Sequence, residues 1–416
     1  MKKFIFSLII LIIALLFYKC SDLVSVDNKK TSPLNASEQK IVSSTEVFGL
    51  KLFKEINNFE GSLPAGRQDK NIFISPLSVS MALGMTLNGA NGNTYDSMRS
   101  VLELNGLTEQ EINESYKNLI DLLVNLDPKV IFTIANSIWY KNTMLFEQDF
   151  INTNKKYFNA EIAGLNFEDP ASVDIINNWV KQNTNGKIKK ILDMIPADAV
   201  MYLMNAIYFK GDWKYQFDKD LTKDNFFTTI DGSKVPCKMM HQGGYCNYLS
   251  NELFQSVELP YGDSSFSMII FLPKEHKSID DIIKQFDETN WNEWLSQLRI
   301  REGEVQLPKF ELKYELTMNN VLKAMGMGIA FSGAADFTKM FAHGGLAISE
   351  VKHKTYIKVD EEGTEAAAVT IVGVKNTSVG GSRFYMRMDK PFIFVIKDNQ
   401  ANSILFMGKI INPSGG

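Results

Sequence analysis

The chain has 416 residues, a formal net charge of −4, and hydrophobic and charged residues at 45% and 22%. That is the composition of a folded globular protein, and it excludes a disordered or collagen-like chain. With no surplus of basic charge, nucleic acid is not an expected partner, and length alone would suggest two or three domains.

Lys2 and Lys3 precede an apolar run from Phe4 to Phe17. The run is short for a bilayer span but has the charged start and apolar stretch of an export signal. Residues 1–20 are therefore read as a signal, and the chain is expected to be exported: secreted, periplasmic or anchored at the cell surface. Cys20 follows directly and is a lipidation candidate, the one route by which a membrane would be a partner. Lys19 stands where lipoprotein signals carry a small residue. The alternative is an ordinary cleaved signal in which Cys20 is incidental. Residues 21–42 are polar with little pattern and read as a tether. Residues 43–416 show no composition break, linker or repeat and read as one domain.

Within that domain Ser75-Pro76 offers an N-cap and a first-turn proline ahead of LSVSMALGMTLNG, which stops at a glycine. Leu107 to Leu126 has the spacing of an acidic amphipathic helix. Ser172 is placed to cap VDIINNWVKQNTNG, and Thr317 to cap MNNVLKAMG. FTIANSIWY, MYLMNAIYF, SFSMIIFLP, TYIKVD and PFIFVIKD are aromatic and β-branched runs bounded by turns, which predicts strands. VPCKMMHQGGYCNYL reads as a hairpin folded about Gly243-Gly244. In that fold Cys246 faces Met240, so Cys237 and Cys246 are expected to be unpaired. Helices dominate the first half and strands the second, with no βαβ rhythm. The expected class is α+β with mostly antiparallel or mixed sheets.

Catalytic chemistry is hard to find. The chain has four histidines, His241, His276, His343 and His353, far apart in sequence. It has no nucleophile elbow, zinc-binding helix, Cys-x-x-Cys pair or phosphate loop. Met325 to Gly328 (MGMG) lacks the third glycine of a dinucleotide fingerprint and reads as a helix C-terminus. No enzyme activity, metal site or cofactor is expected. A hydrolase with an unrecognised triad is the weakest alternative.

Several blocks point to a family. NIFISPLSVSMALGMTLNGANGNT (71–94), NNWVKQNTNGKI (177–188), NAIYFKGDWKYQFD (205–218), ELPYGDSSFSMIIFLP (258–273) and QLPKFELKYEL (306–316) each resemble serpin segments. So do MGMGIAF (325–331), ISEVKHK (348–354), EEGTEAAA (361–368) and KPFIFVIKDNQANSILFMGKIINP (390–413), in the same order. The resemblance implies a single domain of α+β class, with three β-sheets, eight to nine helices and an exposed reactive-centre loop over about 361–383. It also implies a function: a monomeric suicide-substrate inhibitor of serine proteases, with cysteine proteases as a second target class. A non-inhibitory serpin-fold chaperone or binding protein is the alternative.

The same resemblance makes Glu361 to Thr370 (EEGTEAAAVT) the hinge of that loop, with Glu361, Gly363, Thr364, Ala366 and Ala368 as its key residues. By residue type alone, its acidic front half reads as solvent-exposed. Strand alternation puts Thr364, Ala366, Ala368 and Thr370 on one face, all small or β-branched and uncharged, and Glu365 on the other. That pattern suits burial in a sheet, and Gly363 suits a backbone reversal. Family spacing places the scissile bond between Thr377 and Ser378, with Val374 and Lys375 as alternative cleavage points. Lys375 suits trypsin-like enzymes, and Thr377 and Val374 suit elastase-like ones. Ser75, Ser78, Asn205 and His353 match the polar shutter beneath the sheet, and Trp213 matches the breach where the loop enters. The helix at Leu107 to Leu126 lies where some serpins bind heparin, but its acids outnumber its single lysine, Lys117, so heparin is not an expected partner.

Overall fold

A computed structural model describes residues 34–63, 70–364 and 383–414. The expected signal at 1–20, Cys20, Ala366, Ala368, Val374, Lys375, Thr377 and Ser378 lie outside the described residues.

The first helix, α1 (Ala36–Gly61), starts earlier than the sequence suggested. Asn35 and Glu38 form a reciprocal capping box, and Ile41 and Val42 are buried. The last part of the expected tether, 36–42, is thus helical and belongs to the body. Strand β1 (Ile72–Ile74) leads into α2 (Pro76–Leu87), which Ser75 caps as expected by accepting from the Ser78 amide. Helix α3 (Gly92–Val101) is followed by α4 (Glu109–Val124), the acidic amphipathic helix, started by a Thr108/Glu111 capping box. Next come β2 (Val130–Lys141), α5 (Gln148–Phe158), β3 (Glu161–Leu165), α6 (Ala171–Asn183) and β4 (Met201–Asp212). Ser172 does not cap α6. The helix begins two residues earlier than expected, after Pro170, and the Ser172 hydroxyl donates to the Asn166 carbonyl at 2.7 Å instead.

The second half is strand-rich. It runs through β5 (Lys223–Thr228), β6 (Lys234–Ser250), β7 (Phe254–Tyr261) and β8 (Phe266–Pro273). Helices α7 (Ile279–Lys284) and α8 (Glu288–Gln297) separate these from β9 (Arg299–Pro308) and β10 (Phe310–Thr317). Thr317 ends β10 rather than capping the helix that follows. That helix, α9 (Asn319–Leu322), passes into a widened turn over Lys323–Met327, where Gly326 takes φ +115°. Strands β11 (Lys352–Val359), β12 (Gly363–Thr364), β13 (Phe384–Arg387), β14 (Phe392–Asp398) and β15 (Ile404–Ile410) complete the chain.

The described strands form two hydrogen-bonded sheets. The six-stranded sheet has the order β10-β11-β12-β4-β2-β3. The nine-stranded sheet runs β1-β15-β14-β8-β7-β6-β9-β13, with β5 alongside β6. The expected hairpin at Gly243-Gly244 does not form. Strand β6 runs straight through both glycines, pairing Gly243 with Glu304 and Gly244 with Gly303. Its two ends pair with β5 and β7, so one strand belongs to two strand groups and joins them. Cys237 and Cys246 lie on that one strand and are free thiols, as expected, though for a different geometric reason.

Aromatic rings fill the space between the sheets. Phe132 and Phe209 of the six-stranded sheet meet Phe266 of the nine-stranded one at 5.9 and 5.7 Å between ring centroids. Phe73 stacks on Phe394 and Phe406 under β1. Helix α6 buries a separate cluster, with Trp179 edge-on to Trp139 against β2 and β4. These layers leave β4 and β11 as neighbours in the six-stranded sheet, with only the two residues of β12 between them among the described residues.

Candidate functional site

Strands β4 and β11 are each fully paired on their outer edges, with β2 and β10. On the edges that face each other, described pairing occurs only at one end. There Thr364 pairs with Val359 of β11 and with Gly211 of β4, and Gly363 with Asp212. Gly363 and Thr364 therefore lie between the two strands, with their backbone antiparallel to both.

A tight turn delivers them there. The Asp360 amide donates to the Gly363 carbonyl at 3.0 Å, and the Glu362 amide donates to Asp360 Oδ1 at 3.1 Å. Asp360 is tied to Lys358 at 3.0 Å. Gly363 is required by close approach: a Cβ there would collide with the Gly211 carbonyl oxygen and the Asp212 Cα. The chain thus reverses over Asp360–Gly363.

The acidic front of the hinge is not solvated, contrary to its residue types. The Glu361 side chain is 8% exposed. Its carboxylate accepts from Lys309 Nζ at 2.7 Å and from the Thr222 hydroxyl at 2.9 Å. Burial pushes this carboxyl up, but the Lys309 and Thr222 hydrogen bonds outweigh it and hold it below the usual range. Glu362 forms an ion pair with Lys219. The segment after β4 clasps the turn from outside. The Trp213 amide donates to the Glu362 carbonyl at 2.8 Å, Phe217 to that of Glu361 at 3.0 Å, and the Trp213 indole to that of Asp360 at 3.0 Å.

Trp213, the expected breach residue, stacks on Tyr261 with centroids 4.3 Å apart and planes 14° apart. The Tyr261 hydroxyl lies 2.7 Å from Thr364 Oγ1, with both residues buried. Burial pushes the Tyr261 phenol far up, so it stays un-ionised. Lys309, Thr222, Lys219 and Tyr261 were not singled out from sequence. Tyr261 sat inside the ELPYGD block, but nothing local links it to a residue 103 positions away.

The expected shutter is divided. Ser75 and His353 meet beneath the sheet. The Ser75 amide donates to His353 Nε2 at 3.1 Å, and its hydroxyl donates to the Leu405 carbonyl at 2.7 Å. Burial pushes the His353 imidazole down to about 4, so it is neutral and serves as an acceptor. Ser78 joins this group through the cap of α2. Asn205 does not. It donates to Asn136 Oδ1 at 2.6 Å, and Asn136 donates to the Phe158 carbonyl at 2.7 Å. The Asn205 side-chain oxygen Oδ1 has no hydrogen-bond partner among the described residues.

In this arrangement the Ser75 hydroxyl is committed to the Leu405 carbonyl, and only the Ser75 amide meets His353. The parts of the arrangement are a strand end held between β4 and β11 and a buried polar layer of Ser75, Ser78 and His353. Known proteins resemble the chain in sequence and fold. The family model described as serpin (serine protease inhibitor) matches residues 43–413. Chicken (Gallus gallus) neuroserpin is 33% identical over 368 residues, which cover 86% of this chain and 89% of neuroserpin. The native-state structure of tengpin, a thermophilic serpin, is similar with a TM-score of 0.81 and 34% identity, covering 92% of this chain and 96% of tengpin. Human thyroxine-binding globulin complexed with thyroxine is similar with a TM-score of 0.80 and 26% identity, covering 91% of this chain and 100% of that one. By fold and by sequence over nearly its whole length, the chain belongs to the serpin family.

Proposed function

We propose that the chain is an exported inhibitor of serine endopeptidases that acts as a suicide substrate. In this reading a protease serine attacks the Thr377 carbonyl and the Thr377–Ser378 bond breaks. Ser378 leaves with a new amino terminus, and an ester links Thr377 to the protease. The cut loop then enters the slot between β4 and β11 behind Thr364, carrying the protease with it before water can hydrolyse the ester. Inserting ten or so residues with both edges paired gains on the order of 10 kcal/mol, at about 1 kcal/mol per hydrogen bond with apolar burial added. A resting fold that forgoes this gain is held kinetically.

The observation that carries the reading is the seated hinge. Thr364 pairs with both β11 and β4, and the residues that strand alternation assigns to its face are small and uncharged. Residue types around the bond favour elastase-like targets through Thr377 and Val374, and trypsin-like ones through Lys375. The thyroxine complex of a related fold keeps a second reading open, a binding protein whose loop never inserts.

One experiment separates the two. The full chain is incubated with pancreatic elastase and with trypsin and run on a denaturing gel after boiling. A band at the summed mass of chain and protease supports inhibition. Cleaved chain with no such band at any ratio refutes it.

A further inference from the structure

Tyr261 ends β7 in the nine-stranded sheet, while Thr364 belongs to the six-stranded one. Their hydroxyls, 2.7 Å apart, bridge the two sheets. The Tyr261 ring has no freedom to aim elsewhere. Trp213 stacks on one side of it, Phe209 packs edge-on at 5.0 Å, and the backbone at Gly211 approaches so closely that a Cβ there would lie 3.1 Å from the ring. Both hydroxyls are buried and each is the other's partner, so neither can part without stranding a polar group away from water.

The pairing also discriminates register. A strand that keeps its buried face can slip only by an even number of residues. A slip of two would bring alanine, Ala366, opposite Tyr261 in place of Thr364, and Ala366 has no hydroxyl to offer. The bond is met in the observed register and lost in the neighbouring one.

We propose that the Tyr261 hydroxyl is the positioning group that holds the hinge seated in the resting chain and fixes the register from which a strand would extend. Its use in protease capture rests on the inhibitory reading above. The seating itself does not, and it is measurable with no protease present.

The test is amide hydrogen exchange on the intact chain at Asp360, Trp213 and Phe217, whose amides donate to the hinge turn. Tyr261→Phe keeps the ring and removes the hydroxyl. Thr364→Val keeps the shape and removes the partner. Each should speed exchange at these amides by about tenfold, the factor for a lost bond worth ~1.4 kcal/mol. Thr364→Ser should restore slow exchange. The double variant should be no faster than either single one, because both remove the same bond. Amides of β14 and β15 should keep their wild-type rates, which a general loosening of the core would not allow. Unchanged exchange in Tyr261→Phe overturns the proposal, as do multiplicative effects in the double variant or equal acceleration in β14 and β15. If the exchange pattern appears but wild-type chain forms no stable complex with elastase or trypsin, the seating stands and the inhibitory reading falls.

Discussion

Replacing Thr364 by arginine sets the cost of burying a charge against the strength of the seat. Thr364 is 2% exposed and faces the Tyr261 ring. An unpaired cation there costs several kcal/mol. What opposes its expulsion is the seat: the two-residue β12 pairing and the amide bonds from Trp213 and Phe217, each worth about 1 kcal/mol net. The Lys309–Glu361 bond lies on the turn before Thr364 and can survive with the hinge swung out. The charge should win, and the seated population should fall by about a hundredfold for a deficit of ~3 kcal/mol. Under the inhibitory reading the variant should be cut at the same bond and at a similar rate, yet yield cleaved chain rather than covalent complex. The assay is the ratio of those two bands on a denaturing gel at several protease ratios. Glu365→Arg is the control, since strand alternation assigns the next position to the opposite face. It should retain most trapping. Equal loss in both variants refutes the alternating-face argument, and no loss in either refutes insertion through this hinge.

Gly363→Ala should destabilise the seated hinge by about 1–3 kcal/mol, because the added methyl meets Gly211 and Asp212 backbone that cannot retreat; faster exchange at the Trp213 amide would report it. His353 is neutral when folded, with its pKa pushed down to about 4, whereas the unfolded chain takes up the proton near 6.5. Stability should therefore be intact above about pH 6.5 and fall by up to ~3 kcal/mol as pH drops toward 4. Denaturant titrations should show that slope, and His353→Gln should flatten it. Ser75→Ala removes both the cap of α2 and the bond to the Leu405 carbonyl and should cost about 1–3 kcal/mol in the same titrations.

Sequence alone determined what is local or order-dependent. The acidic amphipathic helix α4 and the Ser75-Pro76 start of α2 rest on spacing and contacts within a few residues, so they read directly from the chain. Strands such as β4, β8 and β14 read from β-branched and aromatic runs, and the order of blocks carried the family. Tertiary structure decided the rest, because distant partners override local preference. Gly243-Gly244 is an excellent turn pair in isolation. Strand β9 nevertheless pairs across both glycines, and Gly303 opposite them is a glycine because the Phe384 ring occupies the place of its Cβ. Ser172 and Thr317 are good caps whose hydroxyls found nonlocal or strand-end partners instead. The acidic start of the hinge reads as solvated because no neighbour in sequence can neutralise it. Lys309 and Lys219 do so from 52 and 143 residues away, and Tyr261 supplies the hydroxyl that Thr364 needs from 103. Buried charges and hydroxyls are settled by whatever the fold brings to them, and that is the information a linear chain does not display.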